Sequence, residues 1–315
     1  MKEIATHRDL PYPRICAHRG MHMDTAPENS LPAFAMAAAL GADEIELDLW
    51  PDKEGELFVF HDPWVIDGSR KTLISDMTTR EVRAVDIGTP FSPAFKGLGI
   101  PSFEEVLDLV ARRVILNIHI KSPIKNRVMG EKMRARIERW KQLYYGNVPL
   151  MPPFPDREPD TDPVFENREF ERYSEKDFQH ILDLLDRYRC REHAYIAGER
   201  DVLAVAQEMA PDIERCCLEA KNDTIMEHAL RYDCKKVQFD KEATTSWMLE
   251  QAHAHGMTCN MFWSNIGEEA CAYLDYGIDC ILTDSFQAVS AAVKARQREK
   301  CKQSSERAQE NGERS

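Results

Sequence analysis

From residue 44 to residue 50 the side chains alternate in character. Ile45, Leu47 and Leu49 fall on one face of an extended chain, and Glu44, Glu46 and Asp48 fall on the other. The alternation predicts a strand. Further short apolar or alternating runs predict strands at 14–20, 114–120, 193–197, 213–218, 235–239, 258–263 and 280–283, with a short extra strand at 56–60. Between them lie helical patterns. One opens at Asn29 or Ser30 as N-cap and stops before Gly41. Another opens at Ser102, with Glu105 at the capping-box spacing. Others cover 129–144, 175–189, 201–209, 224–232, 246–255 and 268–276. After about residue 292 a helical start passes into a Glu- and Arg-rich tail expected to fray. Eight strands alternating with helices predict a parallel α/β barrel, a (β/α)8 TIM barrel, rather than an open sheet. Residues 62–99 carry only a short helix near 79–85 and read as a small insertion after strand 2.

The acidic face changes the picture. A buried parallel strand is normally a near-continuous apolar run. Three acids on one face imply either a solvated edge or a compensating cation, because unpaired buried charge is costly. A divalent metal on Glu46 and Asp48 would supply one. The formal net charge of -13 argues against nucleic acid or an anionic membrane as partner. It also means that an anionic substrate needs a local cationic site. Residues 1–13 show no apolar leader, and no run has the length of a membrane span. The nine cysteines have no C-x-x-C spacing and read as reduced core residues. The expectation is a single cytoplasmic domain over 1–315.

In barrels of this kind reactive groups sit at the C-terminal ends of the strands. Those ends carry His18 and Arg19, Glu46 and Asp48, His119 and Lys121, and Trp263, while His61 follows the extra strand. Two imidazoles suit proton transfer near neutral pH, and a metal with Arg and Lys suits a phosphate oxyanion. His22 and Asp24 could reach the same mouth. Glu44 and Glu28 read as structural. His253 and His255, two apart on a helix, face different ways and make a poor metal pair.

These residues occur within a longer ordered set: His18-Arg19-Gly20, Pro27-Glu28-Asn29-Ser30, Gly41 to Asp48, His61-Asp62, Ile100 to Glu105, Asn117 to Lys121, Phe262-Trp263-Ser264, Glu268-Glu269 and Tyr276 to Asp279. With them the chain resembles the glycerophosphodiester phosphodiesterases over most of its length. The resemblance implies a TIM-barrel hydrolase that releases sn-glycerol 3-phosphate and an alcohol such as choline or ethanolamine. It implies His18 and His61 as the acid/base pair, with His18 assigned as base and His61 as acid, or the two exchanged. It further implies Glu46 and Asp48 as ligands of Mg²⁺ or Ca²⁺, and Arg19 and Lys121 on the phosphate. Trp263 either lines the alcohol pocket or is an ordinary buried aromatic. Attack by a glycerol hydroxyl would give a cyclic phosphate that water then opens. A reaction that stops at the cyclic product, as in phospholipase D-like enzymes, and a non-catalytic phosphodiester-binding barrel are the alternatives.

Two departures stand out. The family usually has Glu where this chain has His119. Either the imidazole ligates and shifts preference toward Mn²⁺ or Zn²⁺, or the metal rests on Glu46 and Asp48 with water. Residues 126–173 also form an extended loop after strand 3 on the catalytic face, containing the 129–144 helix and a proline-rich segment at 149–163. It reads as a lid or specificity element, or as a surface excursion or oligomer contact.

Overall fold

The structure is a computed structural model. It describes residues 6, 10–23, 25–67, 70–122, 131–146, 148–154, 171–218 and 224–312. Asp24 and much of the proline-rich segment therefore lie outside the described residues. In chain order the strands are β1 (Arg14–His18), β2 (Glu44–Pro51), β3 (Leu57–Val59), β4 (Trp64–Asp67), β5 (Arg70–Leu73), β6 (Ile115–Ile120), β7 (Ala194–Gly198), β8 (Arg215–Cys217), β9 (Lys236–Asp240), β10 (Thr258–Phe262) and β11 (Cys280–Thr283). The helices are α1 (Leu31–Ala39), α2 (Thr79–Arg83), α3 (Phe103–Val110), α4 (Glu131–Tyr145), α5 (Glu175–Arg187), α6 (Arg200–Met209), α7 (Ile225–Arg231), α8 (Ser246–Ala254), α9 (Gly267–Tyr276) and α10 (Phe286–Gly312).

Strands β1, β2 and β6 to β11 pair in parallel and close on themselves, because β1 bonds to both β2 and β11. This is a (β/α)8 barrel. Short β3 adds antiparallel to β2, with Leu49 opposite Val59. The outward strand residues Ile45, Leu47, Leu49, Ile118, Ile120, Ile196, Phe239 and Met261 join the helices in one apolar cluster. Ser30 caps α1 by accepting from the Ala33 amide. Ser102 and Glu105 form the expected capping box on α3.

Residues 62–99 hold more structure than expected. Beside α2 there is a hairpin of β4 and β5, and Val65, Ile74, Met77 and Val82 pack with Trp50 and Phe58 in a small separate core. Gly68-Ser69 in the sequence is a hairpin signal, but Trp-Val-Ile-Asp and Arg-Lys-Thr-Leu have no clean alternation to support it. Helix α10 also runs through the segment expected to fray.

The lower half of the barrel interior is polar. Arg14 donates to Glu44 Oε1 at 2.9 Å, and the Tyr195 hydroxyl donates to Glu44 Oε2 at 2.7 Å. Asn260 donates to Tyr195 at 3.1 Å, and the Lys236 ammonium donates to the Tyr12 hydroxyl at 2.5 Å. Glu44 is thus the counter-charge that lets Arg14 lie buried beneath the C-terminal ends of the strands. Removing one partner of a buried pair leaves the other uncompensated. Glu44→Ala is therefore expected to destabilise the fold by about 3–5 kcal/mol, read as a lowered midpoint in urea unfolding.

Candidate active site

Strand register assembles the site. Across β1 and β2, His18 lies beside Glu46; across β2 and β6, Glu46 lies beside Asn117 and Asp48 beside His119. Neighbours in register point to the same side, so His18, Glu46, Asp48 and His119 all face the barrel mouth. After His18 the chain turns through Arg19 and Gly20 at φ 55° and 82°. A Cβ on Gly20 would come within 2.8 Å of the Ala33 backbone, so this turn requires glycine. The turn aims the Arg19 amide at Glu46 Oε2, 3.2 Å away.

Glu46, Asp48 and His119 each offer an atom within 4.8 Å of the others. His119 Nδ1 is 3.1 Å from Asp48 Oδ1 and 3.6 Å from Glu46 Oε1. Lys121 Nζ is 2.9 Å from the same Asp48 oxygen. Even so, Asp48 Oδ1 is buried and has no well-directed hydrogen bond. A buried carboxylate oxygen without a directed donor, flanked by a second carboxylate and an imidazole, fits a cation. Asp48 Oδ2 is held instead by Asn29 Nδ2 at 2.8 Å. Burial pushes the Asp48 carboxyl up, but Lys121, His119, His61 and Arg19 hold it well below its ordinary value.

Arg19 is already engaged. Its guanidinium donates to Glu28 at 2.9 and 3.0 Å and lies 3.4 Å from Asp48 Oδ2. Glu28 thereby orders the loop after β1. His61 lies at the rim, 36% exposed, with Nδ1 2.9 Å from Asp62, while its carbonyl accepts from Trp50 Nε1. Burial, Lys121 and Arg19 lower His61, outweighing Asp62 and Asp48.

The sequence reading missed Asp284, which directly follows β11. It is buried, and its Oδ1 lies 2.6 Å from His18 Nδ1 and 2.8 Å from His22 Nε2. Asn265 donates to Oδ2 at 3.0 Å. With Nδ1 occupied, His18 presents Nε2 to the mouth, 3.8 Å from Glu46. Burial and Arg19 push His18 down, but Asp284 and Glu46 more than reverse this, leaving it raised. Applying the strand-end rule to the last strand would have found Asp284. Asn29 had been read only as a possible cap. Trp263 is fully buried, with Lys241 Nζ 4.4 Å above its ring. His253 pairs with Asp279 at the opposite end of the barrel, which separates it from this mouth.

The fold is a barrel whose acid-lined mouth brings Glu46, Asp48 and His119 close enough to share a cation. Residues 18–147 match the model of the glycerophosphoryl diester phosphodiesterase family. A glycerophosphodiester phosphodiesterase of Caldanaerobacter subterraneus subsp. tengcongensis is 39% identical over 112 residues, which is 35% of this chain and 46% of that one. The match thus spans about half the length of that relative. A phosphodiesterase of Oleispira antarctica, in complex with the product sn-glycerol-3-phosphate, superimposes with TM-score 0.67 at 18% identity, covering 90% of this chain and 97% of that one. A glycerophosphodiester phosphodiesterase of Agrobacterium tumefaciens gives 0.61 at 16% identity, covering 88% and 99%. Residues 18–147 thus carry the sequence pattern of that family, and the barrel shares the fold of these solved structures. Among the described residues no helix is long and apolar enough to cross a membrane.

A histidine whose folded value is raised stays protonated above its ordinary value of about 6.5. Its contribution to stability is complete below that value and is lost as pH rises through the folded one. In metal-free protein, imidazole NMR titration is expected to place His18 above 6.5 and His61 below it. Asp284→Asn should move the His18 midpoint downward.

Proposed function

We propose that the protein hydrolyses glycerophosphodiesters to sn-glycerol 3-phosphate and an alcohol, with a divalent cation held by Glu46, Asp48 and His119. The observation that carries this reading is the convergence of Glu46, Asp48 and His119 within 4.8 Å, with His18 3.8 Å from Glu46. A cation there would polarise the phosphoryl oxygens and offset the carboxylates. Mg²⁺ or Ca²⁺ suits two hard carboxylates, and the imidazole of His119 extends the choice to Mn²⁺ or Zn²⁺.

Lys121 and Arg19 orient the phosphate as cationic donors, each pre-positioned by an acid. His18 Nε2 takes the proton from the attacking glycerol hydroxyl as its oxygen bonds to phosphorus. His61 gives a proton to the departing alcohol oxygen as the other P–O bond breaks. The cyclic phosphate so formed is opened by water with the two histidines exchanging roles. Before a cation engages Glu46, the raised His18 and lowered His61 favour the opposite direction of proton flow. A cation held by Glu46 would offset one of the two carboxylates that raise His18, which would suit His18 to the base role.

The test is release of glycerol 3-phosphate from glycerophosphocholine and glycerophosphoethanolamine, with cations added back to stripped protein and products followed by phosphorus NMR. His18→Ala and His61→Ala should each lower kcat by about 10²–10⁴-fold. Near-normal kcat in either variant would remove that histidine from the mechanism. Accumulation of a cyclic phosphate would indicate a lyase-type reaction. Tight binding without turnover under every cation would indicate a binding barrel.

A further inference from the structure

Among its described residues, the insertion after β6 brings Tyr144 to the site. Tyr144, in the last turn of α4, sets its ring edge-on to Trp263, with centroids 5.1 Å apart and planes at 63°. Its phenol lies within electrostatic reach of Asp284, the carboxylate that also holds His18 and His22 and that helps to push the phenol up. Arg19 and Glu28 lie close enough to influence the phenol electrostatically. Tyr144 therefore spans the mouth between the β1 loop and the ends of β10 and β11.

The segment that follows is fastened down. The Leu150 amide donates to Glu269 Oε1 at 2.6 Å, and the Tyr273 hydroxyl donates to the Leu150 carbonyl. The Ser246 hydroxyl donates to the Phe154 carbonyl at 3.2 Å, and the Phe154 ring stacks on Tyr273 with centroids 5.5 Å apart. Arg139 on α4 reaches Glu242 at 3.1 Å. Glu269 is itself buried against Lys241 at 3.1 Å and accepts from Ser264 at 2.5 Å. These contacts tie the described part of the insertion to β9, α8 and α9 as a roof over one side of the mouth.

We propose that Tyr144 is a specificity-determining residue that closes the pocket against Trp263 and restricts the diester arm extending from the phosphate toward β10 and β11. The inference rests on the phosphodiesterase reading above and names its substrate class: diesters whose arm on that side is small and free of acyl chain. The phosphate is oriented by Arg19 and Lys121 on the β1–β6 side, so an arm leaving it in the other direction passes beneath the Tyr144–Trp263 pair. A bulky arm would have to displace a ring that is set edge-on against Trp263.

The test compares kcat and KM of wild type, Tyr144→Phe and Tyr144→Ala. The substrates are glycerophosphoethanolamine, glycerophosphoinositol for a bulky alcohol arm, and a 1-acyl glycerophosphoethanolamine for a bulky glycerol arm. Wild type should prefer glycerophosphoethanolamine. Tyr144→Ala should lower its preference over one of the bulky substrates by about tenfold or more, the range a shaped apolar pocket provides. Tyr144→Phe should keep the preference and KM, since it keeps the ring that packs on Trp263. Tyr144→Leu supplies a bulky replacement should the alanine variant fold poorly. Unchanged preference in both the alanine and leucine variants would overturn the inference and leave the phosphodiesterase reading standing. Absence of wild-type turnover on all three substrates would overturn both.

Discussion

The carboxylate of Asp48 is 1% exposed, and the site is organised around keeping it charged. Lys121 and His119 reach it from β6, Arg19 from the turn after β1, and Asn29 from the N-terminal side of α1. Each depends on a local device: register for His119, a left-handed turn for Arg19, and a left-handed φ of 52° for Asn29. Left-handed backbone at non-glycine residues is uncommon and is maintained by its surroundings. Here the surroundings are the ligands of one buried acid, so strand pairing, loop conformation and electrostatics converge on the same atom.

Another buried acid, Glu44, lies four residues earlier on the same face of β2 and has a different role. Arg14 and Tyr195 hold it by direct hydrogen bonds, and with Lys236 and Tyr12 close by it makes a closed polar floor. The difference between the two acids lies in their satisfied and unsatisfied oxygens. Glu44 has a donor on each oxygen, whereas Asp48 Oδ1 has cationic neighbours but no directed donor. The floor supports the barrel; the mouth is left able to accept a cation.

Much of this was legible in the sequence because period-two alternation in β2 and β6 fixes which residues share a face, and barrel topology fixes which end of each strand is the mouth. His18, Glu46, Asp48, His119 and Lys121 follow from those two rules, as does the barrel itself. Asp284 obeys the same rules but was overlooked, since it follows an unremarkable apolar run and carries no neighbouring motif. Tyr144 was illegible for another reason. It belongs to an exposed, strongly charged helix whose own pattern says nothing of what it covers, and only the tertiary path of the insertion places it against Trp263. The β4–β5 hairpin was hidden because Trp-Val-Ile-Asp and Arg-Lys-Thr-Leu lack a period-two alternation, and Val65 packs with Trp50 and Phe58 in the small core.

Asp48, with Glu46 and His119, is proposed to form one cation site. Its most direct test is a titration of Mn²⁺ into metal-stripped protein, followed by the loss of the free-ion EPR signal, for wild type beside Asp48→Asn. The account predicts one site per chain in wild type and binding at least about tenfold weaker in Asp48→Asn, since a directly ligating carboxylate contributes more than the ten- to hundredfold typical of an outer-sphere partner. Equal binding by the two proteins, or no binding by wild type, would contradict it.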